Sequence, residues 1–453
     1  MRRADVNPKE QAIMDTDSKP ATRSRELFEE AQRYLPGGVS RNTIFRQPHP
    51  LYAESASGCH VTDVDGFQRV DFANNMASLI HGHAHPAIIG AVSEQLQRGT
   101  AYTMATEAEL DFARLLCQRV PHFDKLRFVN SGTEAVMACI KAARCFTGKP
   151  KLAKVEGTYH GTYDYAEVSQ KPKPDQWGDS QQPASVPVAR GTPQSALDDV
   201  IVIPFNQPLL AREILDAEAD QIACILLDPM PHRVGLIPAS DDFVEMLRQW
   251  CDTHDALLIL DEVITFRSGY AGAGEWFKVH PDLTAMGKII GGGFPVGAFA
   301  GRNEVMNLLD PQQGDIPFPH SGTFSANPIT MTAGRVAMEL FDQAAVDRIN
   351  DLGDYARHVI TEVIGQAGID ACVTGKGSMF RIHLKSEPPV DYRSAYMYSD
   401  EQHRINQLVT FLFETGFLMI NTCTAALSTV MGREQIDQLA MALAQGLAAE
   451  KKK

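Results

Sequence analysis

Neither a disulfide framework nor a clustered metal site can be built from the cysteines of this sequence. There are eight, Cys59, Cys117, Cys139, Cys145, Cys224, Cys251, Cys372 and Cys423, and no two form a C-x-x-C pair. Several sit in apolar runs, as Cys224 does within Ile222-Ala223-Cys224-Ile225-Leu226-Leu227. Buried, reduced thiols are therefore expected, and no metal. Basic charge is also scarce: 42 Lys and Arg stand against 56 Asp and Glu, a formal net charge of −14. That excludes the broad basic face on which nucleic-acid binding depends, while leaving room for a local basic pocket that takes a carboxylate or phosphate. No apolar run approaches the length of a bilayer span, and the Met1-Arg2-Arg3 start lacks the apolar core of a signal peptide. The expectation is a soluble, cytoplasmic protein with neither a membrane nor a nucleic acid as partner. No internal repeat is present.

What remains is ordinary globular composition, 44% hydrophobic and 22% charged over 453 residues, long enough for two or three packed units. Residues up to about Thr22 are polar, the composition of a frayed terminus. Helical spacing runs from Arg23 to Leu35 and stops at Pro36-Gly37-Gly38. A strand pair follows, His60–Val64 and Arg69–Phe72 around a turn at Asp65-Gly66. Helical periods at Pro86–Arg98 and Glu107–Arg119 lead to an alternation of short apolar runs and helices. The runs are Leu126–Val129, Leu152–Val155, Ile201–Ile203, Ala223–Leu227, Ala256–Leu260 and Ala298–Ala300, which points to a mostly parallel α/β sheet. Gln170–Asp199, rich in Pro, Gln and Ser, reads as a long surface loop. From Met331 the chain is mainly helical, with strand-like pieces such as Met379–His383. The expected division is an N-terminal segment 1–75, a large domain 76–330 and a small C-terminal domain 331–453.

Four stretches carry chemistry. Leu258-Ile259-Leu260-Asp261-Glu262-Val263 delivers carboxylates at the carboxyl end of an apolar strand, where parallel α/β sheets bind ligands. A lone strand-end Asp is ordinarily a turn cap, but the next segment, Met286-Gly287-Lys288-Ile289-Ile290-Gly291-Gly292-Gly293, sets a single lysine in apolar surroundings. Such an amine has its pKa lowered, as a Schiff-base nucleophile requires; alone, it could equally be a surface lysine before a glycine loop. Asn130-Ser131-Gly132-Thr133-Glu134-Ala135 places hydroxyls and free N–H groups at a helix N-terminus, a phosphate cup in physical terms and also the form of a plain N-cap. It lacks the spacing and lysine of a P-loop. In Glu156-Gly157-Thr158-Tyr159-His160-Gly161 an aromatic among small residues can cover a flat ring, or simply fill a turn.

Together and in this order these segments, with Gly82-His83-Ala84-His85-Pro86 and Gly322-Thr323-Phe324, resemble the class-III (subgroup II) aminotransferases of pyridoxal 5′-phosphate (PLP) fold type I. The likeness runs from about Leu35 through the C-terminal domain. It implies an α/β fold with a mostly parallel central sheet, helices on both faces and a smaller α+β C-terminal domain. It also implies PLP as cofactor, bound to Lys288 as a Schiff base, with Lys288 then shuttling the proton. Asp261 would pair with the pyridine nitrogen, while Ser131, Gly132 and Thr133 hold the phosphate. Tyr159 and Val263 would cover the ring faces, with His160 and Glu262 behind them. Thr323 would reach the phosphate of a neighbouring subunit's cofactor, making a homodimer with shared sites. Pro36-Gly37-Gly38-Val39 is similar to glutamate-1-semialdehyde 2,1-aminomutases, and Ser40-Arg41 to β-amino-acid (β-phenylalanine-type) aminotransferases, in which an arginine grips the substrate carboxylate; a guanidinium does this bidentately. Arg41 is the candidate here, with Arg46 second.

The chain departs from the pattern at Asp228-Pro229, where the family has Glu-Pro, and at Met230–Gly235, where Arg233 replaces the aminomutase asparagine. Asn421–Leu427 lacks both the aminomutase glutamate and the second arginine of the β-amino-acid enzymes. These departures bear on substrate, not on cofactor. The expected activity is amino transfer from an amino acid or amine, including β- or ω-amino acids, to a keto acid by a ping-pong route. The alternative is an aminomutase that moves the group within one molecule. A PLP-dependent lyase or racemase, and a non-catalytic α/β protein, stand behind both.

Overall fold

Residues 22–450 are described in this structure, a computed structural model; the terminus expected to fray lies outside them. The chain divides into two compact units, Met1–Ala56 with His60–Arg69, and Ser57–Cys59 with Val70–Lys453. In the first, helix Arg23–Ala31 starts at Thr22, whose hydroxyl accepts from the Arg25 N–H at 3.3 Å. It ends four residues before the sequence pattern does, and the chain continues through short 3-10 turns at Pro36–Gly38 and Asn42–Ile44. The turn after His60–Asp63 is held by Asp63, which accepts from the Asp65 and Phe67 N–H groups and pairs with Arg69 at 2.7 Å.

The second unit is organised by a seven-stranded sheet. Its strands are β1 (Lys125–Val129), β2 (Lys151–Val155), β3 (Val200–Ile203), β4 (Ile222–Leu227), β5 (Leu257–Asp261), β6 (Leu283–Gly287) and β7 (Gly297–Gly301). They lie in the order β1-β7-β6-β5-β4-β2-β3. β7 runs antiparallel to both its neighbours and every other pairing is parallel. Every residue of β4, β5, β6 and β7 is buried, which is why these strands read as continuous apolar runs rather than alternations. The two sides still separate by parity. Leu257 and Ile259 pack with Cys224, Leu226 and the helix Gly132–Thr147; Leu258 and Leu260 pack with Ile225, Leu227 and the helix Asp241–Thr253. Helices on both faces of a mostly parallel sheet are the expected architecture.

Most expected elements appear within two residues of their sequence bounds, and Glu107–Arg119 and Met379–His383 coincide with them. β6 went unread: Leu283-Thr284-Ala285-Met286-Gly287 is short, with small residues and no β-branched residue but Thr284. Its position matters, because it sets Lys288 just beyond the end of the strand beside that of Asp261, with Asp261 in register with Ala285. The 170–199 stretch holds a 3-10 turn at Pro174–Gln176, an isolated bridge between Gly178 and Pro183 and the five-residue helix Gln194–Asp198. It is tethered where the Tyr392 hydroxyl donates to the Pro172 carbonyl at 2.9 Å and Arg393 to that of Trp177 at 2.9 Å. Towards the C-terminus, helices Pro328–Leu340 and Gln343–Ala367 precede a three-stranded antiparallel sheet of Cys372–Thr374, Met379–His383 and Thr424–Ala426. Among the described residues no helix is long and apolar enough to cross a membrane.

At the start of β7 the backbone passes so close to the site that a Cβ on Gly297 would lie 2.0 Å from the Ser131 carbonyl oxygen. Gly297→Ala therefore forces two backbones apart, at a cost on the order of 1–3 kcal/mol. The expected result is a lower thermal midpoint by calorimetry; an unchanged midpoint would mean that β7 does not approach Ser131 as described.

Candidate active site

Three adjacent strands end in ionisable side chains. Asp228 follows β4, Asp261 closes β5 and Lys288 follows β6. All three line one cavity of about 350 Å³. Asp261 is buried and its two oxygens are separately engaged: Oδ1 accepts from the Val263 N–H at 3.1 Å and Oδ2 from His160 Nδ1 at 2.7 Å. A carboxylate only accepts, so the imidazole carries its proton on Nδ1. Burial, partly offset by Asp261, lowers the His160 pKa and keeps the ring neutral; its Nε2 has no partner among the described residues.

Lys288 adopts φ of 49°, the left-handed region, which a non-glycine residue occupies at some energetic cost and which clusters at functional positions. Burial lowers the pKa of its amine, opposed by the nearby charges of Asp261 and Asp228. Asp228 is driven the other way: burial first and Asp261 second raise its pKa well above the usual carboxyl range, although its Oδ1 accepts from the Met230 N–H at 2.9 Å. Glu262 points to the opposite side of β5, accepting from the Ala273 and Gly274 N–H groups at 2.5 and 3.0 Å, and burial pushes its pKa up to about 7.

The helix Gly132–Thr147 starts on the same cavity. The Ser131 hydroxyl accepts from the Glu134 N–H at 3.2 Å while the Glu134 carboxylate takes the Asn130 N–H at 2.7 Å, a reciprocal cap. The N–H groups of the first turn, at Gly132 and Thr133, have no partner within a helix, and with the helix dipole they suit an anion. Two glycines make this approach possible. A Cβ on Gly132 would lie 2.7 Å from the Val263 side chain, and one on Gly161, at φ of 90°, would lie 2.5 Å from Thr133 Oγ1.

Of the residues singled out in the sequence, Ser131, Gly132, Thr133, Tyr159, His160, Asp261, Val263 and Lys288 come together on this cavity. Arg233 does not line it. Its guanidinium carbon stands 5.5 Å from the Tyr159 ring centroid, and its Nε is buried without a partner among the described residues. Thr323 is exposed and does not line the cavity. Arg41 is exposed within the first unit; Arg46, in that unit too, has its pKa lowered to about 10 by burial and by Arg69. Sequence reading missed Asp228 as a site residue, although it directly follows β4, the strand beside the one that Asp261 closes. Asn75, Ser78 and Phe294–Val296, also on the wall, were missed as well. Asn75 sits in a run of four consecutive non-glycine residues with positive φ, Asn74 to Ala77, and nothing in their composition signals it.

Residues 44–446 match the family profile described as aminotransferase class-III. The chain belongs to the class-III aminotransferase family. A curated relative, the glutamate-1-semialdehyde 2,1-aminomutase of Methanothermobacter thermautotrophicus, is 38% identical over 374 residues, 82% of this chain and 86% of that one. Among solved structures, an omega-transaminase from Sphaerobacter thermophilus superposes with a TM-score of 0.92 at 44% identity, covering 95% of this chain and 98% of that one. A β-phenylalanine aminotransferase from Variovorax paradoxus gives 0.86 at 31% identity, with 98% of both chains covered. As a class-III member the protein is an enzyme of PLP fold type I and its cofactor is PLP.

The cavity fits that group. An amine, a carboxylate fixed by two hydrogen bonds, a helix N-terminus with two hydroxyls and an aromatic ring all open on one volume.

Glu262 supplies a test of the surrounding electrostatics. Its pKa in the folded chain, about 7, lies above the ordinary 4.5. Folding then takes up a proton between these values, so the stability it contributes is full below pH 4.5 and is lost as pH rises through 7. Glu262→Gln removes that loss. The thermal midpoint of the variant relative to the parent is expected to rise between pH 5 and pH 8, by an amount on the order of 2–3 kcal/mol in stability; a difference independent of pH would refute the assignment.

Proposed function

We propose that the protein transfers amino groups on carboxylate-bearing substrates, with Lys288 as the residue that carries PLP covalently and moves the proton. One observation carries this reading: Asp261 closes one strand, Lys288 directly follows its parallel neighbour, and both share a cavity with the N-terminus of the helix Gly132–Thr147. When bound, PLP supplies an electron sink for the carbon that bears the amino group. The other tasks fall to the chain. The Lys288 amine, with its lowered pKa, is the base that takes the proton from that carbon and returns it. Asp261, oriented by His160 and the Val263 N–H, holds the ring nitrogen. Ser131, Gly132 and Thr133 hold the phosphate on their hydroxyls and N–H groups, while Tyr159 and Val263 exclude water from the ring faces. Thr323, exposed in one chain, would complete the phosphate site of a second copy, which makes the working unit a homodimer. Arg41 and Arg233 are the proposed carboxylate clamps, and the division at residues 75 and 330 is kept as the proposed domain plan.

Two routes fit this machinery. Transfer between molecules, the expectation from the sequence, is supported by likeness to the omega-transaminase and by the loss of the aminomutase asparagine at Arg233. Transfer within one molecule is supported by the curated relatives at 34–38% identity, which bear the aminomutase name; these names weigh more heavily than the support for the first route. Single-turnover assays separate the two. Loss of the amino group to free pyruvate or 2-oxoglutarate means transfer between molecules. Conversion of glutamate 1-semialdehyde with no keto acid accepted means transfer within one.

Two outcomes test the residue roles. The parent protein is expected to be yellow and Lys288→Ala colourless with turnover reduced at least about a thousandfold; a coloured, active Lys288→Ala would end the proposal. Arg233→Ala is expected to raise KM for amino acids about tenfold or more while leaving KM for amines without a carboxylate nearly unchanged. Equal changes for both would remove Arg233 from substrate recognition.

A further inference from the structure

Lys154, on β2, is a fully buried lysine with no acidic hydrogen-bond partner among the described residues. Its Nζ donates to the carbonyl of Thr158 at 3.1 Å and to that of Val168 at 2.6 Å. Thr158 and Val168 are themselves buried, and no backbone N–H reaches either carbonyl among the described residues. These two carbonyls bracket the segment that runs out from β2, through Tyr159, His160 and Gly161, and back past the short helix Asp164–Glu167. We propose that Lys154 is a positioning residue of the active site: its amine ties together the two ends of this loop and so sets Tyr159 and His160 against the cavity.

The energetics favour a functional reason for the lysine. An amine in an apolar interior is costly, and a side chain of similar volume without the nitrogen would fill the space more cheaply. It would leave two buried carbonyls without donors, next to the residue that hydrogen-bonds Asp261. The titratable groups facing the amine are Arg233, Glu167 and the neutral imidazole of His160. Burial, then Arg233, push its pKa down to about 7, with Glu167 opposing. A neutral amine has two N–H groups, and the structure gives it two acceptors.

The catalytic half of this inference rests on the function proposed above, whereas the structural half does not. The test compares the parent protein with Lys154→Met, which keeps the volume and loses the donors, and Lys154→Gln, which keeps an N–H₂ group. Hydrogen exchange is followed by mass spectrometry on cofactor-free protein, and kcat and KM on the loaded enzyme. Lys154→Met is expected to speed exchange in residues 157–168 about tenfold relative to β4 and β5, to retain its yellow colour, and to lose kcat about tenfold with KM changed less. Lys154→Gln is expected to fall between the two. Exchange that is unchanged in 157–168, or raised equally throughout the sheet, would overturn the inference, as would a Gln variant no closer to the parent than Met. A colourless parent protein would instead remove the cofactor assignment and leave the exchange result to stand by itself.

Discussion

The structure depends on placing opposite charges where a sheet is driest. A parallel sheet covered on both faces must be apolar along its strands, and only at the carboxyl ends does it open to a cavity. Asp228, Asp261 and Lys288 occupy those ends on consecutive strands. Like charges in low dielectric cannot all persist, so the cluster sorts itself: Asp228 is driven towards its protonated form, the Lys288 amine is made easier to deprotonate, and Asp261 takes the hydrogen bonds. The chemistry of the family follows from that sorting.

Around the cluster, polar groups are held by donors and acceptors that have little other purpose. His160 donates to Asp261. Lys154 holds the loop that carries His160. Glu262 reaches to the far side of β5 and ties down the Ala273 and Gly274 backbone. A buried guanidinium, Arg267, is hydrogen-bonded to Ser378 Oγ and to the carbonyls of Ala77 and Leu427, so it fastens the left-handed run that sets Asn75 on the cavity wall. Backbone conformations as unfavourable as those of Asn74–Ala77 and Lys288 persist only where neighbours over-determine them, and both lie at the cavity.

Much of this was legible in the residues. The apolar runs gave all six strands expected of the sheet to within a residue at each end, because burial on both faces leaves an unmistakable composition. The motifs at Asn130–Ala135, Tyr159–Gly161, Asp261–Val263 and Gly287-Lys288 met on one cavity, since each marks a place where glycine or a hydroxyl is needed at a strand end. β6 escaped because small residues can be buried without looking like a strand. Asp228 was seen only as a departure from a pattern, as nothing local tells that its strand lies beside that of Asp261. The polar wall at Asn75 and Ser78 comes from a backbone conformation set by distant partners, which no window of sequence contains. Arg41 and Arg233 were chosen by analogy, and Arg233 proves to stand against Tyr159 rather than on the wall.

The chemistry depends on a covalent bond at one lysine among several, another of which, Lys154, is fully buried. The most direct measurement is to reduce the purified enzyme with borohydride, digest it and locate the pyridoxyl adduct by mass spectrometry. The account predicts a single modified peptide, with the added mass on Lys288. An adduct on Lys154 or on any other lysine, or no adduct in a protein that is catalytically active, would contradict it.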